Sequence, residues 1–160
     1  MLPGGRPPVH LSPYDRPSVL DVPRTMRNLP KIIQKQSRVH GDGVFAAERI
    51  TKNTRIIDYA GELVRNIESE AREGRYLKDG CVWMFRINRA WSRDGNVGGN
   101  MSRFINHACK PNCYYQVVEK TIWIRASRTI EPGDELTYDY HTVGEKTIPC
   151  RCRPDCPTKL

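Results

Sequence analysis

The chain has 160 residues, which suits one domain, and 38% of them are hydrophobic, enough for a modest core. No run approaches the roughly 18 apolar residues that a membrane span needs, and the amino terminus lacks the apolar stretch of a signal peptide. We therefore expect no membrane association and no secretion by a signal peptide. The expected location is the nucleus and chromatin for a eukaryotic chain or one acting on a host, and the cytoplasm for a bacterial chain.

The formal net charge is +8, and most of the excess lies near the ends of the chain. Residues 1–38 contain seven Lys and Arg against two Asp, whereas residues 39–143 contain fifteen against fourteen Asp and Glu. A basic tail attracts polyanions such as DNA, but it can equally be a solvated tail that keeps the protein soluble. The near-neutral middle argues against nucleic-acid binding as the main function.

The first 28 residues contain six of the twelve prolines and little apolar periodicity, which predicts a mobile leader. Short strands are expected from about Pro30 onward. KIIQKQ and VFAAE flank Gly41-Asp42-Gly43, which predicts a hairpin with its turn at those three residues. TRIIDYAGELV predicts one or two further strands. Asn66 is then expected to cap a short helix that ends near Gly74.

The second half of the chain continues the same pattern. VWMFRI, CYYQVV and TIWIRA are rich in β-branched and aromatic residues, and Glu119-Lys120 is expected to turn one of the last two strands into the other. GNMSRFINH predicts a helical turn, and EPGDE predicts a turn before LTYDY. Taken together, the segments predict a mainly β domain of many short strands with little helix.

GDGVFA matches the Gly-x-Gly-x-x-Ala form of a dinucleotide-binding fingerprint. That motif requires a long helix after it and continued βα alternation, whereas β-branched and charged residues follow here and Asn53 would break a helix early. A plain hairpin turn explains the glycines better, although glycines also let a backbone approach a ligand closely.

Two later segments contain candidate functional side chains. In SRFINHACKPNC, Asn106 and His107 are either a base with its orienting partner or a pair that holds the polar edge of a ligand, although a histidine of this kind is more often structural. In GDELTYDY, Tyr138 and Tyr140 lie two residues apart in an extended stretch and therefore face the same way. With Tyr59 they form three phenols that either converge on one channel or belong to the core.

Six cysteines are present, and three of them, Cys150, Cys152 and Cys156, lie within the last eleven residues. A disulfide framework is disfavoured because no secretory context accompanies the cysteines. Together with Cys109 the three suit a closed tetrahedral structural zinc site, the alternative being reduced thiols without a metal.

In this order the motifs GDGVFA, YAGE, DGNVGGN, RFINHAC, PNC, GDELTYDY and CRC resemble those of the SET-domain protein lysine methyltransferases with a post-SET segment. The resemblance covers roughly residues 30–160. It implies a SET-domain fold of several small β-sheets with a C-terminal pseudoknot, in which the segments around Asn106-His107 and LTYDY meet. The implied organisation is a basic leader at 1–28, a SET domain at 29–143 and a post-SET zinc-binding segment at 144–160.

The resemblance also implies the activity, a lysine N-methyltransferase that uses S-adenosylmethionine on a protein substrate, with a histone tail as the leading candidate. Tyr140 would stand at the methyl-transfer site, Tyr59 would line the lysine channel, and Tyr138 would limit the product to mono- or dimethyl-lysine. Zinc would be bound by Cys109, Cys150, Cys152 and Cys156. The methyl donor would be bound by Gly41, Asp42, Gly43, Val44, Arg103, Asn106, His107 and Tyr140.

The chain departs from the family pattern in three ways. Three residues separate Cys152 from Cys156 where the family commonly has four, which puts the geometry of the zinc site in question. Ala108 replaces the usual serine, and no cysteine-rich pre-SET cluster precedes Pro30. Two other interpretations remain open at this point. One is a catalytically silent SET domain that binds peptides, and the other is a basic nucleic-acid-binding protein whose carboxyl-terminal segment is held together by zinc.

Overall fold

The computed structural model describes residues 29–142 and 148–160. The predicted leader at 1–28 lies outside the described residues. Among the described residues, no helix is long and apolar enough to cross a membrane. Short strands dominate and one α-helix of 13 residues accompanies them in this part of the chain, so the prediction of a mainly β fold is confirmed.

The first two strands form the predicted hairpin, but the turn was misplaced. Strand β1 (Ile32–Gln36) pairs antiparallel with β2 (Asp42–Ala46), and Gln36 is opposite Asp42. Asp42 and Gly43 therefore belong to the strand, and the turn comprises residues 37–41. It is closed by the Ser37 amide, which donates to the Gly41 carbonyl over 2.8 Å, while Gly41 adopts a φ of +48° that favours glycine.

A three-stranded antiparallel sheet forms the centre of the core. Its order is β3 (Arg55–Asp58), β9 (Thr121–Ala126), β8 (Cys113–Val118). Glu119 and Lys120 join β8 to β9 as predicted, and Glu119 adopts a φ of +57° in the turn. In β8 only Cys113 is buried and Tyr115 and Val117 are partly buried, whereas four of the six residues of β9 are buried, because β9 is the central strand.

A second three-stranded sheet has the order β4 (Glu62–Arg65), β6 (Trp91–Asp94), β5 (Met84–Arg86), and helix α1 (Asn66–Lys78) connects β4 to β5. The prediction that Asn66 caps the helix was wrong: Arg65 occupies the cap position, and its side chain makes no capping hydrogen bond. The Asn66 side chain is engaged elsewhere, since its Oδ1 accepts from Ser92 Oγ over 2.7 Å. The helix also continues past Gly74 to Lys78.

A buried ion pair fixes α1 to this sheet. Asp94 at the end of β6 is fully buried, and its carboxylate accepts hydrogen bonds from Arg72 over 2.8 Å and from Tyr76 over 3.0 Å, both on α1. The backbone amide of Asn96 donates to the same carboxylate over 2.9 Å. A buried charge with this many partners holds the helix in one position against the sheet.

Two distant parts of the chain meet in a short parallel pairing. Strand β7 (Asn106–His107) follows a 3₁₀ helix (Met101–Phe104) and lies beside β10 (Thr137–Tyr138), with His107 opposite Tyr138. This confirms that the Asn106-His107 and LTYDY segments meet. The hydrophobic core beneath them includes Val44, Ile50, Ile56, Ile105, Ile122, Ile124, Ile130 and Leu136.

Candidate active site

A cavity of about 540 Å³ opens between the first hairpin, the end of α1, the β7–β10 pairing and the carboxyl-terminal segment. This volume lies in the range of small-molecule and cofactor sites. Its wall is formed partly by four residues of the first hairpin, Val39, His40, Gly41 and Asp42. The opposite wall and the floor include Leu77, Trp83, Arg103, Phe104, Asn106, His107, Tyr140, Ile148 and Leu160.

Asn106 connects the hairpin to the β7–β10 pairing. It is buried, and its Nδ2 lies 3.0 Å from the Asp42 carbonyl and 3.0 Å from Glu135 Oε1. Glu135 Oε1 also accepts from Ser37 Oγ over 2.7 Å at the start of the turn. The amide of Asn106 therefore fixes the backbone that forms the hairpin wall of the cavity.

Tyr140 lines the large cavity and is held there by two hydrogen bonds. Its hydroxyl donates to the Ile105 carbonyl over 3.0 Å, and its backbone amide donates to His107 Nδ1 over 3.3 Å. The His107 ring packs edge-on against the Tyr140 ring at 5.5 Å between centroids. Burial raises the pKa of the Tyr140 phenol well above its usual range, so the hydroxyl keeps its proton.

Tyr140 also lines a smaller cavity of about 100 Å³. Its wall includes Phe85, Tyr115 and Tyr138 as well as Tyr140 itself. Phe85 is the centre of this aromatic group, with ring centroids 4.8 Å from Tyr115 and 5.8 Å from Tyr138. Tyr140 thus lines both cavities, and the wall of the small one combines aromatic rings with polar and charged side chains.

Tyr59 supports this aromatic group from behind and lines neither of the two cavities described. Its hydroxyl donates to the Trp83 carbonyl over 2.9 Å, and its ring lies 5.1 Å from that of Phe85. A Cβ atom at Gly95 would lie 2.5 Å from the Tyr59 hydroxyl oxygen, so a side chain there would displace the phenol. Burial raises the pKa of Tyr59 far above its usual range.

The four cysteines predicted as metal ligands are brought together. Their sulfur atoms all lie within 4.8 Å of one another, and Cys109 Sγ is 3.8 Å from Cys150 Sγ and 3.6 Å from Cys156 Sγ. Cys152 Sγ and Cys156 Sγ are 3.8 Å apart. Tetrahedral zinc with Zn–S bonds of about 2.3 Å separates its sulfurs by about 3.8 Å. The donor set and its spacing therefore fit a closed structural zinc site despite the shortened Cys152–Cys156 interval.

The same segment forms part of the cavity wall. Ile148 and Leu160 exchange backbone hydrogen bonds of 3.1 and 2.8 Å, and the Cys150 amide donates to the Thr158 carbonyl over 2.9 Å. The backbone amide of Thr158 donates to the Cys156 sulfur and lowers the pKa of that thiol to about 6. Ile148 and Leu160 then close the large cavity from the side of the cysteine cluster.

The family model described as SET domain matches residues 41–141 of the chain. The chain belongs to the SET-domain family. Among curated proteins, the "Histone-lysine N-methyltransferase, H3 lysine-4 specific" of Yarrowia lipolytica is 40% identical to this SET-domain chain over 131 residues, 76% of the chain and 11% of that protein. The histone-lysine N-methyltransferase trithorax of Drosophila melanogaster is 42% identical over 123 residues, 73% of the chain and 3% of that protein.

Solved structures agree with the family assignment. A chain of ctPRC2 bound to S-adenosylmethionine superimposes with a TM-score of 0.65 at 29% identity, over 71% of this SET-domain chain and 15% of that chain. A chain of ctPRC2 in complex with H3K27me3 and H3K27M superimposes with a TM-score of 0.67 at 30% identity. The match covers 72% of this chain and 15% of that chain. The chain therefore spans only a small part of the relatives and structures that it matches.

In this SET domain, the residues predicted to bind the methyl donor divide into two groups. Those in the wall of the large cavity are Gly41, Asp42, Arg103, Asn106, His107 and Tyr140. Gly43 and Val44 lie farther along β2, and the Val44 side chain is fully buried in the core. Of the three phenols, Tyr138 and Tyr140 line the small cavity and Tyr59 lies behind it.

Sequence reasoning missed two aromatic residues of the cavity. Trp83 and Phe104 line it and lie 6.0 Å apart edge to face, and the Arg103 guanidinium is 4.6 Å from the Phe104 ring centroid. VWMFRI was assigned to a strand, but β5 begins only at Met84, which leaves Trp83 in the preceding loop. The position of Trp83 depends on the hydrogen bond that its carbonyl accepts from the Tyr59 hydroxyl. Sequence periodicity does not indicate a contact of this kind.

Proposed function

We propose that this chain transfers methyl groups from S-adenosylmethionine to a lysine of a histone tail, with histone H3 lysine 4 as the leading target and mono- or dimethyl-lysine as the product. The observation that carries the proposal is that Tyr140 lines both cavities. The donor would occupy the large cavity and the substrate lysine would enter through the small one. The H3 lysine-4 target follows from the names of relatives that are about 40% identical to this chain.

The residues of the large cavity fit the donor's chemical groups. Trp83 and Phe104 offer aromatic faces for a purine, and the Arg103 guanidinium offers a cation for a carboxylate. Backbone from His40 to Asp42 approaches the cavity closely because Gly41 carries no side chain there. S-adenosylmethionine would supply an activated methyl group on a sulfonium.

The lysine must reach the methyl group as a neutral amine. Lysine has a reference pKa of about 10.4, so deprotonation at pH 7 costs roughly 4–5 kcal/mol. The rings of Phe85, Tyr115 and Tyr138 in the wall of the small cavity would lower this cost, because they replace part of the water that stabilises the ammonium. Bulk water can accept the proton, so no general base is required inside the site.

The remaining contribution is alignment of the amine with the methyl group. The hydrogen bond from Tyr140 to the Ile105 carbonyl and the packing against His107 hold the phenol in one orientation. Tyr59 supports the neighbouring residues through the hydrogen bond from its hydroxyl to the Trp83 carbonyl. Rigid groups of this kind lower the barrier by holding the reacting atoms in near-attack geometry.

Incubation of the full chain with radiolabelled S-adenosylmethionine and histone H3 tests the proposal. We expect label on H3 and its loss when lysine 4 is replaced by arginine in the substrate. Donor binding and peptide binding without transfer would identify a catalytically silent peptide-binding domain instead. Salt-dependent DNA binding without donor binding would identify a nucleic-acid-binding protein.

A further inference from the structure

The carboxylate of Glu135 joins segments that are far apart in the sequence. Its Oε1 accepts a hydrogen bond from Ser37 Oγ over 2.7 Å, at the start of the first turn, and one from Asn106 Nδ2 over 3.0 Å, in β7. The Glu135 backbone lies beside β2, where it forms an antiparallel bridge with Phe45. The side chain lines neither of the two cavities described. Any effect of Glu135 on a bound molecule is therefore transmitted through the residues to which it is bonded.

Ser37 transmits the restraint to the turn of residues 37–41. Its hydroxyl oxygen accepts from the Val39 amide over 2.8 Å, and its own amide donates to the Gly41 carbonyl over 2.8 Å. Val39 and Gly41 both line the large cavity. The hydroxyl that is bonded to Glu135 therefore also fixes the backbone of the cavity wall.

Asn106 restrains the same turn from the other side. The Nδ2 atom that donates to Glu135 also lies 3.2 Å from the His40 carbonyl. Gly43 leaves room for the carboxylate, because a Cβ atom there would lie 2.5 Å from Glu135 Oε1 and 2.9 Å from Ser37 Cβ. The missing side chain at Gly43 therefore lets the carboxylate approach the turn and bond both partners.

We propose that Glu135 is a positioning residue for the methyl donor, which keeps the turn of residues 37–41 in the conformation that binds S-adenosylmethionine. The inference rests on the proposed function, because it places the donor in the large cavity. A turn with several conformations binds its ligand with an affinity that is reduced by the fraction of molecules in the competent one. Hydrogen bonds to a charged acceptor are stronger than neutral ones, so the two bonds to the carboxylate raise that fraction. Glu135 should therefore act on donor affinity and leave the methyl-transfer step at Tyr140 largely unchanged.

The test compares the full unmodified chain with Glu135→Ala, Ser37→Ala and the double variant. Donor affinity is measured by calorimetry with S-adenosylmethionine, and kcat is measured at saturating donor with an H3 peptide. Backbone hydrogen exchange of residues 37–42 without donor measures the opening of the turn directly. Glu131→Ala is the matched control, because Glu131 is an exposed carboxylate nearby in the sequence that pairs with Arg49 over 3.1 Å. Thermal unfolding verifies that each variant is folded.

We expect each single variant to weaken donor binding by about tenfold, with kcat changed by less than about twofold. Exchange of residues 37–42 should become faster in both. The double variant should bind the donor about as well as the weaker single variant, because both substitutions remove the same contact. Glu131→Ala should behave like the unmodified chain in every measurement.

Unchanged donor affinity in folded Glu135→Ala, or a fall in kcat without a change in affinity, would overturn the inference and leave the proposed function intact. A loss of thermal stability alone would likewise overturn it, because a purely structural carboxylate would not affect the donor. If Glu135→Ala does not fold, the donor affinity of Ser37→Ala decides by the same criterion. Absence of donor binding by the unmodified chain would overturn the proposed function and the inference together.

Discussion

At the scale of single residues, the site depends on phenols that remain protonated. Tyr138 and Tyr140 have ring centroids 4.9 Å apart, and Tyr59 packs against the same Phe85 ring as Tyr138. Burial is the main cause that raises the pKa of all three phenols above their ordinary values. Each hydroxyl therefore keeps its proton at the pH at which a lysine amine is neutralised, and can act as a hydrogen-bond donor throughout.

The Tyr138 hydroxyl is expected to limit the number of methyl groups added. Within the described residues it makes no hydrogen bond, so it is available to hold a water beside the lysine amine. Tyr138→Phe should ease displacement of this water and shift the products toward di- and trimethyl-lysine. Mass spectrometry of a peptide driven to completion measures the shift.

Tyr114→Phe is the matched control for Tyr138→Phe, because Tyr114 is exposed on β8 and its hydroxyl donates to Asn53 over 3.4 Å. We expect its products to equal those of the unmodified chain. If the unmodified chain makes mainly trimethyl-lysine, channel width and not the Tyr138 hydroxyl sets the limit.

The buried phenols also predict loss of stability in alkali. In the unfolded chain a tyrosine releases its proton near pH 10, whereas folded Tyr138 retains it because burial raises its pKa. The stabilising contribution is therefore complete below about pH 10 and declines as pH rises further. Tyr138→Phe should reduce the decline of the free energy of unfolding by up to about 1.4 kcal/mol per pH unit, measured by urea unfolding between pH 8 and 11. Equal slopes for the two proteins would contradict this assignment.

At the scale of secondary-structure elements, local sequence patterns predicted most strands but not the tertiary contacts that their residues make. The run of β-branched residues in TIWIRA marked β9 correctly, because a central strand is apolar on both faces. The hairpin turn was misplaced because Asp42 and Gly43 look like turn residues, yet Asn106 fixes the Asp42 carbonyl at the cavity. Asn66 was misread as a cap because its side chain bonds Ser92, a tertiary contact without a local signal.

The cysteine segment is expected to support activity from outside the reacting centre. Three ligands come from a stretch too short to fold alone, so zinc coordination would supply the free energy that orders it. Cys152→Ser should release the metal and lower turnover, because Ile148 and Leu160 would no longer close the large cavity. Metal content by atomic absorption and donor affinity by calorimetry measure the two effects.

Arg153→Ala is the control for the cysteine substitution, since Arg153 is exposed between Cys152 and Cys156. It should retain both metal and activity. The circular dichroism of the β core should be preserved in Cys152→Ser. Full activity in protein shown to be free of zinc would rule out this role for the cluster.

At the scale of the whole molecule, the site is assembled from segments that are far apart in sequence. One cavity is lined by His40 at the first turn, Trp83 after α1, Asn106 in β7 and Leu160 in the carboxyl-terminal segment. No local pattern relates these positions, and the motif order indicated only the family to which they belong. The resemblance named the tyrosines that are proposed to be catalytic, whereas Trp83, Phe104 and Leu160 were found because the structure brings them together.

The basic leader is expected to act on substrate binding and not on the chemistry. Residues 1–28 belong to the segment 1–38, which has a net charge of +5. They lie outside the described residues. Their deletion should leave turnover on a short peptide unchanged and weaken methylation of nucleosomes, with the greater loss at low salt. Steady-state kinetics on both substrates at two salt concentrations measure this. Loss of peptide turnover would show that the leader belongs to the fold.

The central claim is that the methyl donor and the lysine meet at Tyr140, and Tyr140→Phe tests it most directly. The substitution keeps the ring packed against His107 and removes only the hydroxyl that is bonded to the Ile105 carbonyl. Single-turnover methyl transfer to an H3 peptide, measured together with donor affinity, is the decisive experiment. We predict a rate that is lower by about a hundredfold or more, with donor affinity changed by less than about threefold. A rate equal to that of the unmodified chain, with lysine still methylated, would contradict the account.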